Sequence, residues 1–460
     1  MKRALILAAL LATTGCSLAP KYVRPEPPVP VSWPAGDAYL RESEAALPAL
    51  TWQDVFRDPR LQQLIGEALA GNRDLRVAAA QVEAARTQVR VRQAAQFPAL
   101  GVDASLSLDE SGNDGYAVRG GISSFEIDLF GRLANATAAE RDRALATEEG
   151  ARAVRIGLVA DLAQAWADYA ADRDLLVIAR NTADAARETV RLTRARLEGG
   201  IAPRTDLRRA EQVLATAEGD LATQTTLVAQ DENRMRLLLG GPVNPTLLAK
   251  GLDDIGAGIS APPAGTSSEV LLRRPDVIGA EYRLRAAGAD LGAARADLFP
   301  RISLTSVLGF ASTALSGLFD NGNFSFNGAG GVSVPIFDGG RRRATVRADE
   351  ALQKAALATY ERTIQSAFRE VADALAVRGR IADRLKAAAS GTFAAADTAR
   401  LVEARYRGGL DSSLANLDAQ RSLYAARRAE VAVKLADLRN RIALYRTLGG
   451  DSVSEAPQPR

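Results

Sequence analysis

The chain is written twice. Asp74-Leu75 through Gln96-Phe97-Pro98 aligns without a gap with Asp276-Val277 through Leu298-Phe299-Pro300. Alanine matches come easily in so alanine-rich a sequence, so the shared Phe-Pro endings carry more weight. Beyond them both halves follow one succession. Polar-alternating segments lead to Phe130-Gly131-Arg132 in one half and to Phe337-Asp338-Gly339-Gly340-Arg341 in the other. A very long helical stretch then ends at Gly199-Gly200 or at Gly408-Gly409, and a further helix closes at Leu239-Gly240-Gly241 or at Leu448-Gly449-Gly450. Such a duplication restricts the fold to two copies of one plan.

The helical stretches are unusually long. Gly131 to Glu198 holds no proline, and only Gly150 and Gly157 interrupt good helix formers; Arg341 to Arg407 repeats this with Gly379 and Gly391. At a rise of about 1.5 Å per residue, each would reach about 100 Å. Patterns of this length point to coiled-coil packing, and Leu75, Val82 and Val89, like Val277, Leu284, Leu291 and Leu298, recur every seventh residue. Helices over about 58–97 and 205–240, each near half that length, would stack end to end against one long helix. Trp166 and Tyr169 fall in the apolar pattern of Ile156, Val159 and Leu162 and read as helix packing. The Gly-Gly pairs read as hairpin tips, because glycine tolerates the left-handed backbone that ends a helix.

Four segments switch to a two-residue period. Leu100, Val102, Ala104, Leu106 and Leu108 form one face of the first; Phe125, Ile127 and Leu129 mark the second; Ile302 and Leu304 begin the third; Phe324, Phe326, Val332, Val334 and Ile336 mark the fourth. Apolar-out, polar-in strands of about ten residues characterise outer-membrane barrels, and Phe97-Pro98 and Phe299-Pro300 stand where a helix must break to become a strand. A water-soluble antiparallel sheet shows the same alternation. The secretory start described below and the lack of an apolar 20-mer favour the barrel. Four strands cannot close one, since about eight are needed, and open edges in hydrocarbon leave backbone groups unpaired. Copies must therefore associate; periodicity alone leaves two or three copies open.

Composition narrows the chemistry. The 460 residues contain no histidine and a single cysteine, Cys16. That removes most zinc sites, histidine-dependent nucleophilic catalysis and any intrachain disulfide, and an enzyme is not expected. Gly330-Gly331 and Gly339-Gly340 are no phosphate loop, because no lysine follows at the required spacing, and nothing calls for a cofactor or a metal. Net charge is +3, or +1 without Lys2 and Arg3, which provides no electrostatic reason for a nucleic-acid partner.

The start of the chain pairs Lys2-Arg3 with an apolar run from Ala4 to Ala12, then Thr13-Thr14-Gly15-Cys16. This is the layout of a secretory leader, too short for a finished transmembrane helix. Its last four residues resemble a bacterial lipobox, with Thr13 where leucine is usual, which implies cleavage before Cys16 and its acylation. Ser17 in place of aspartate resembles lipoproteins sorted to the outer membrane. Pro20, Pro25, Pro27, Pro28, Pro30 and Pro34 then favour an extended tether. The expected organisation is a signal peptide (1–15), an acylated tether and equatorial segment (16–57), a first repeat (58–240), a linker (241–268), a second repeat (269–449) and a tail (450–460). Strands are expected at about 99–109, 117–130, 301–312 and 324–337. The fold class is mixed α+β: a long antiparallel coiled-coil barrel with four strands per chain.

Together these residues resemble the outer-membrane efflux proteins, the TolC family, and within it the acylated branch serving resistance-nodulation-division pumps. The resemblance is carried by Cys16 with Pro20-Lys21-Tyr22-Val23-Arg24-Pro25, by Trp52, Phe56, Asp58-Pro59 and Leu61, and by Glu126-Ile127-Asp128-Leu129-Phe130-Gly131-Arg132. Arg273-Arg274-Pro275-Asp276-Val277 through Phe299-Pro300 and Asp418-Ala419-Gln420-Arg421 extend it over nearly the whole mature chain. It implies a homotrimer with a twelve-stranded barrel in the outer membrane and a helical barrel in the periplasm. It further implies a periplasmic adaptor and an inner-membrane transporter as partners, and a passive exit duct for drugs or other small toxic compounds. Carried over residue by residue, the periplasmic gate falls on Arg405, Tyr406, Asp411 and Asp418. Arg405 and Asp418 flank the second Gly-Gly turn and are expected to face each other across it; Asn416 sits nearby without an assigned role. Arg341-Arg342-Arg343 is placed to meet phospholipid head groups. Type I protein secretion and metal-ion efflux are alternatives on the same fold. Acylation and the Arg-Arg-Pro-Asp segment favour the pump branch, and the scarcity of soft ligands, only Met1 and Met235 and no histidine, counts against a soft-metal path. A soluble periplasmic coiled-coil adaptor is the alternative of another class.

Overall fold

The computed structural model describes residues 17–34, 36, 38–39, 51–109, 114–262 and 267–453. The leader, Cys16, part of the tether, the loop residues 110–113, residues 263–266 of the linker and the tail from 454 lie outside the described residues. In chain order the principal elements are α1 (Pro59–Gly71), α2 (Arg73–Ala94), β1 (Leu100–Ser107), β2 (Gly115–Ile127), α3 (Arg132–Glu198) and α4 (Arg204–Leu239). The second repeat follows with α5 (Pro275–Ala296), β3 (Arg301–Ser312), β4 (Phe324–Ser333), α6 (Arg341–Arg407) and α7 (Ser413–Thr447). No described helix is long and apolar enough to cross a membrane. The chain forms two compact units. One comprises Met1–Glu26, Ala79–Gly150 and Asp276–Thr363; the other comprises Pro27–Ala78, Ala151–Pro275 and Ile364–Arg460.

The first unit carries one antiparallel sheet, ordered β1-β2-β3-β4 among the described residues. Its register lines up apolar side chains straight across the strands. Ala104 pairs with Val118, Val118 with Phe310 and Phe310 with Phe324; Val102, Gly120, Leu308 and Phe326 form the next row. Asp103, Arg119, Gly309 and Ser325 form a row of opposite parity, hence on the other face. In β2 the apolar positions change parity between Ile122 and Phe125, which would throw half the strand onto the wrong face. A bulge between those residues absorbs the extra position, so that Phe125 meets Leu304 and Ile127 meets Ile302. β2 stops at Ile127 and β4 at Ser333, short of the expected 130 and 337; just past β4, Pro335 has no N–H to offer a ladder.

In the same unit the segment after Cys16 is fastened to helices. Ser17 Oγ donates to Asn135 Oδ1 at 2.8 Å. Tyr22 Oη and the Arg24 guanidinium both donate to the buried Glu281 carboxylate, Arg24 at 2.6 and 3.1 Å. Gly292 makes room for the strap: a Cβ there would lie 2.6 Å from that of Ala19.

The second unit holds the main core, with Trp166, Phe56, Leu61, Leu64, Ile65, Met235 and Ile259 fully enclosed. Trp166 and Tyr169 are core residues, and Trp166 Nε1 donates to Leu247 O at 3.0 Å. Phe56 meets Tyr445 edge-on with centroids 5.1 Å apart. Asp58 starts α1 by accepting from Arg60 N, with Pro59 in the first turn where no N–H is needed. Sequence spacing suggests one helix over about 58–97, but the structure breaks it at Asn72. The buried Asn72 is extended, donates from Nδ2 to Leu238 O and accepts at Oδ1 from Leu75 N. The break lets the ends of α1 and α4 touch backbone to backbone: a Cβ at Gly71 would lie 2.4 Å from Leu239 O. Local periodicity carries no trace of this, because the cause is a contact with residues far away in sequence.

Candidate functional site

Both hairpin tips are built alike, in the second unit. α3 ends with Gly200 at φ +75°, Gly200 N donating to Leu197 O and Ile201 N to Arg196 O. α6 ends with Gly409 at φ +75°, Gly409 N donating to Tyr406 O and Leu410 N to Arg405 O at 2.9 Å. The left-handed residue lets the amides after it turn back onto carbonyls the helix leaves unpaired. At the second tip Ser412 Oγ then accepts from Ala415 N and starts α7.

Arg405 and Asp411 bracket that turn and pair bidentately, Nε to Oδ2 at 2.8 Å and Nη2 to Oδ1 at 3.0 Å. The guanidinium holds the Asp411 carboxyl below the usual carboxylate range. Asp418 does not face Arg405. It is exposed on α7, with Arg421 Nη1 3.6 Å away on its own helix. Arg405 thus faces Asp411 across the turn, and not Asp418 as expected. Six residues span the Schellman turn and bring Asp411 back to Arg405, whereas the first turns of α7 carry Asp418 away.

Tyr406 is almost wholly buried and ties α6 to α3. Thr193 Oγ1 donates to Thr189 O at 2.8 Å, so the 3.3 Å contact with Tyr406 is made by the phenol donating to Thr193 Oγ1. Arg196 completes the tie: its guanidinium lies 4.3 Å from the centre of the Tyr406 ring and donates to Tyr406 O at 3.0 Å. Asn416, at 2% exposure, has no partner for Oδ1 among the described residues, and neither does Ser413 Oγ. Asn416 and Tyr406 both line a 150 Å³ cavity with Thr189, Glu403 and Gln420.

A larger cleft of 430 Å³ lies between α3, α4 and α7, lined among others by Thr182, Arg209, Gln212, Asp418 and Arg421. At its wall Tyr424 Oη donates to Asp220 Oδ2 at 2.8 Å, binding α7 to α4. Sequence reading missed Thr193, Arg196, Asp220 and Tyr424. Their partners lie on other helices, and the only trace is a polar residue placed in an otherwise apolar stripe.

The family described as outer membrane efflux protein matches residues 64–241 and 266–450, one block in each repeat. The chain belongs to that family. It is 38% identical over 449 residues to the antibiotic efflux pump outer membrane protein ArpC of Pseudomonas putida, covering 95% of this chain and 93% of that one. It is likewise 38% identical over 469 residues to the solvent efflux pump outer membrane protein SrpC of the same organism, covering 98% and 99%. Among solved structures, the open state of the MtrE outer membrane channel of Neisseria gonorrhoeae superposes with a TM-score of 0.84 at 32% identity, covering 95% of this chain and 98% of that one. As an outer membrane efflux protein, the chain is the outer-membrane channel subunit of a tripartite efflux system. Its described residues contain no cluster of metal-ligating side chains.

Proposed function

We propose that three copies join their sheets into a twelve-stranded barrel and act as a passive exit duct for drugs and other small toxic compounds. The carrying observation is the sheet. β1 and β4 each have one edge without a ladder partner among the described residues, and one face presents continuous apolar rows. Such a sheet is stable in lipid only when its edges are paired by further copies, and twelve strands leave room for a passage. Relatives named for antibiotic and for solvent efflux favour small amphipathic cargo.

In this reading Cys16 is acylated and anchors the chain in the outer membrane, while a periplasmic adaptor and an inner-membrane resistance-nodulation-division transporter supply the substrate and the energy. The fastening of Ser17, Tyr22 and Arg24 supports a tether with a defined point of departure. Arg405, Tyr406, Asp411 and Asp418 form the periplasmic gate, with Thr193 and Arg196 holding Tyr406. Arg405–Asp411 stiffens the turn, Tyr406 ties it to α3, and Asp418 appears three times around the threefold axis as an acid ring.

Deleting the gene should sensitise cells to antibiotics and solvents, and the purified protein should run as a heat-sensitive trimer and form channels in planar bilayers. Unchanged drug and solvent tolerance alongside lost metal tolerance or lost protein export would overturn the cargo. A monomer soluble in plain buffer would overturn the channel.

A further inference from the structure

We propose that Arg343 and Arg347, in the first turns of the helix that follows Ile336 and Phe337, hold the phosphate of an anionic phospholipid in the periplasm-facing leaflet of the outer membrane. The proposal rests on the outer-membrane reading above and assigns a lipid site to one end of one helix. Ile336 and Phe337 follow β4 and are 93% and 90% exposed, and Val332, next to the end of the strand, is 69% exposed. Large apolar side chains so open at a strand end suit the border between hydrocarbon and head groups.

The charge around them is unbalanced. Arg343 and Arg347 are both exposed and stand four apart on α6, so they share a helix face. Two like charges at that spacing repel unless an anion lies between them. Three nearby acids are engaged elsewhere, and Asp349, two residues past Arg347, falls on another face of the helix. Asp338 accepts from the amides of Gly340 and Arg342. Asp297 pairs with Arg301 and Arg342, and Glu350 pairs with Arg295 at 3.1 Å. Of the triplet Arg341-Arg342-Arg343, Arg342 is thus consumed within the protein, donating also to Asp297 O at 2.6 Å. Arg343 is left pointing outward to act with Arg347.

The other repeat supplies an internal comparison. Aligning Gly131-Arg132 with Gly340-Arg341 puts Ala134 and Ala138 opposite Arg343 and Arg347. Arg132 itself is consumed by Glu126, with Nη2 to Oε2 at 2.6 Å. The surplus of positive charge therefore belongs to the second repeat alone, and helix packing common to both repeats does not require it. A phosphodiester fits it, because guanidinium groups bind phosphate oxygens through paired, charge-assisted hydrogen bonds. Acyl chains would lie along the apolar strand end.

The test reconstitutes the full-length protein into vesicles of equimolar phosphatidylglycerol and phosphatidylcholine. It is then extracted in mild detergent, and the retained lipid is counted by native mass spectrometry. The native protein should retain phosphatidylglycerol preferentially. Arg343→Gln with Arg347→Gln should lower that preference by about fivefold per arginine while the trimer band persists. Arg362→Gln, an exposed cation further along α6, should leave the preference unchanged. Undiminished preference in the double variant, or an equal loss in Arg362→Gln, would overturn the site. So would displacement of the lipid by inorganic phosphate at low concentration, which would mark a free-anion site. Failure of the native protein to enter vesicles is a separate result that sinks the outer-membrane reading itself.

Discussion

Tyr406 and Thr193, 213 residues apart in the chain, meet as two buried hydroxyls 3.3 Å from each other. This contact joins the last turns of the two long helices, one from each repeat, beside the tips where the helices reverse. Arg196 covers the tyrosine ring and takes its carbonyl, so the junction has an aromatic, a cationic and a hydroxyl component within one turn of helix.

Tyr406→Phe removes the hydroxyl and leaves Thr193 Oγ1 without that donor. A hydrogen bond of this kind is worth about 0.5–1.5 kcal/mol, which corresponds to roughly a two- to tenfold shift toward the open tip. Single-channel conductance and vancomycin sensitivity should both rise. Asp418→Ala, alone or with Arg405→Ala, should also loosen the gate. Unaltered conductance and unaltered vancomycin sensitivity in all three variants would remove the gate from this tip.

Asp231 on α4 gives a pH dependence with a definite sign. Burial and the negative charge of Asp172 raise its carboxyl from 3.8 to about 7; Asp172 is also raised, first by burial. Asp168, beside them, is already engaged by Arg234 at 3.1 Å and Arg439 at 2.9 Å. The folded protein thus binds the Asp231 proton more tightly than the unfolded chain does. The group's contribution is complete below 3.8 and is lost as pH rises to about 7. Thermal midpoints measured between pH 5 and 8 should fall with rising pH in the native protein, and less steeply in Asp231→Asn. Parallel curves would show that the pair is not coupled to folding.

Trp166→Ala should be among the most damaging core changes, at about 3–5 kcal/mol. The side chain is fully enclosed and its indole N–H holds the linker carbonyl at Leu247. Denaturant titration of the detergent-solubilised protein would measure the loss; a cost under about 1 kcal/mol would mean that the site collapses without strain.

Deleting Ser124 should leave membrane assembly intact and make β2 a regular strand. It removes the extra residue of the bulge, so Ile122 and Phe125 stand two apart on one face and still meet Ser306 and Leu304. Far-ultraviolet circular dichroism should stay strongly helical, with the heat-sensitive trimer band retained. Loss of the trimer would show that the bulge itself, and not only the alternation, is needed at that end.

Much of this architecture is readable from order alone, because the forces concerned act over short spans. A repeat of seven or of two marks α2, α5 and the four strands, and paired glycines mark the two reversals. A Phe-Pro pair marks each passage from helix to strand. The relationships that depend on distant partners were not readable. Asn72 breaks a helix because Leu238 offers a carbonyl, and the change of parity in β2 makes sense only against Leu304 and Ser306 on β3. At the tip, the sequence named Arg405, Tyr406, Asp411 and Asp418 by resemblance, but only the fold places Arg405 on Asp411, leaves Asp418 exposed and seals Asn416 beside Tyr406. The reason is geometric: side-chain periodicity says which face of a helix a residue occupies, and which helix arrives at that face is decided by packing.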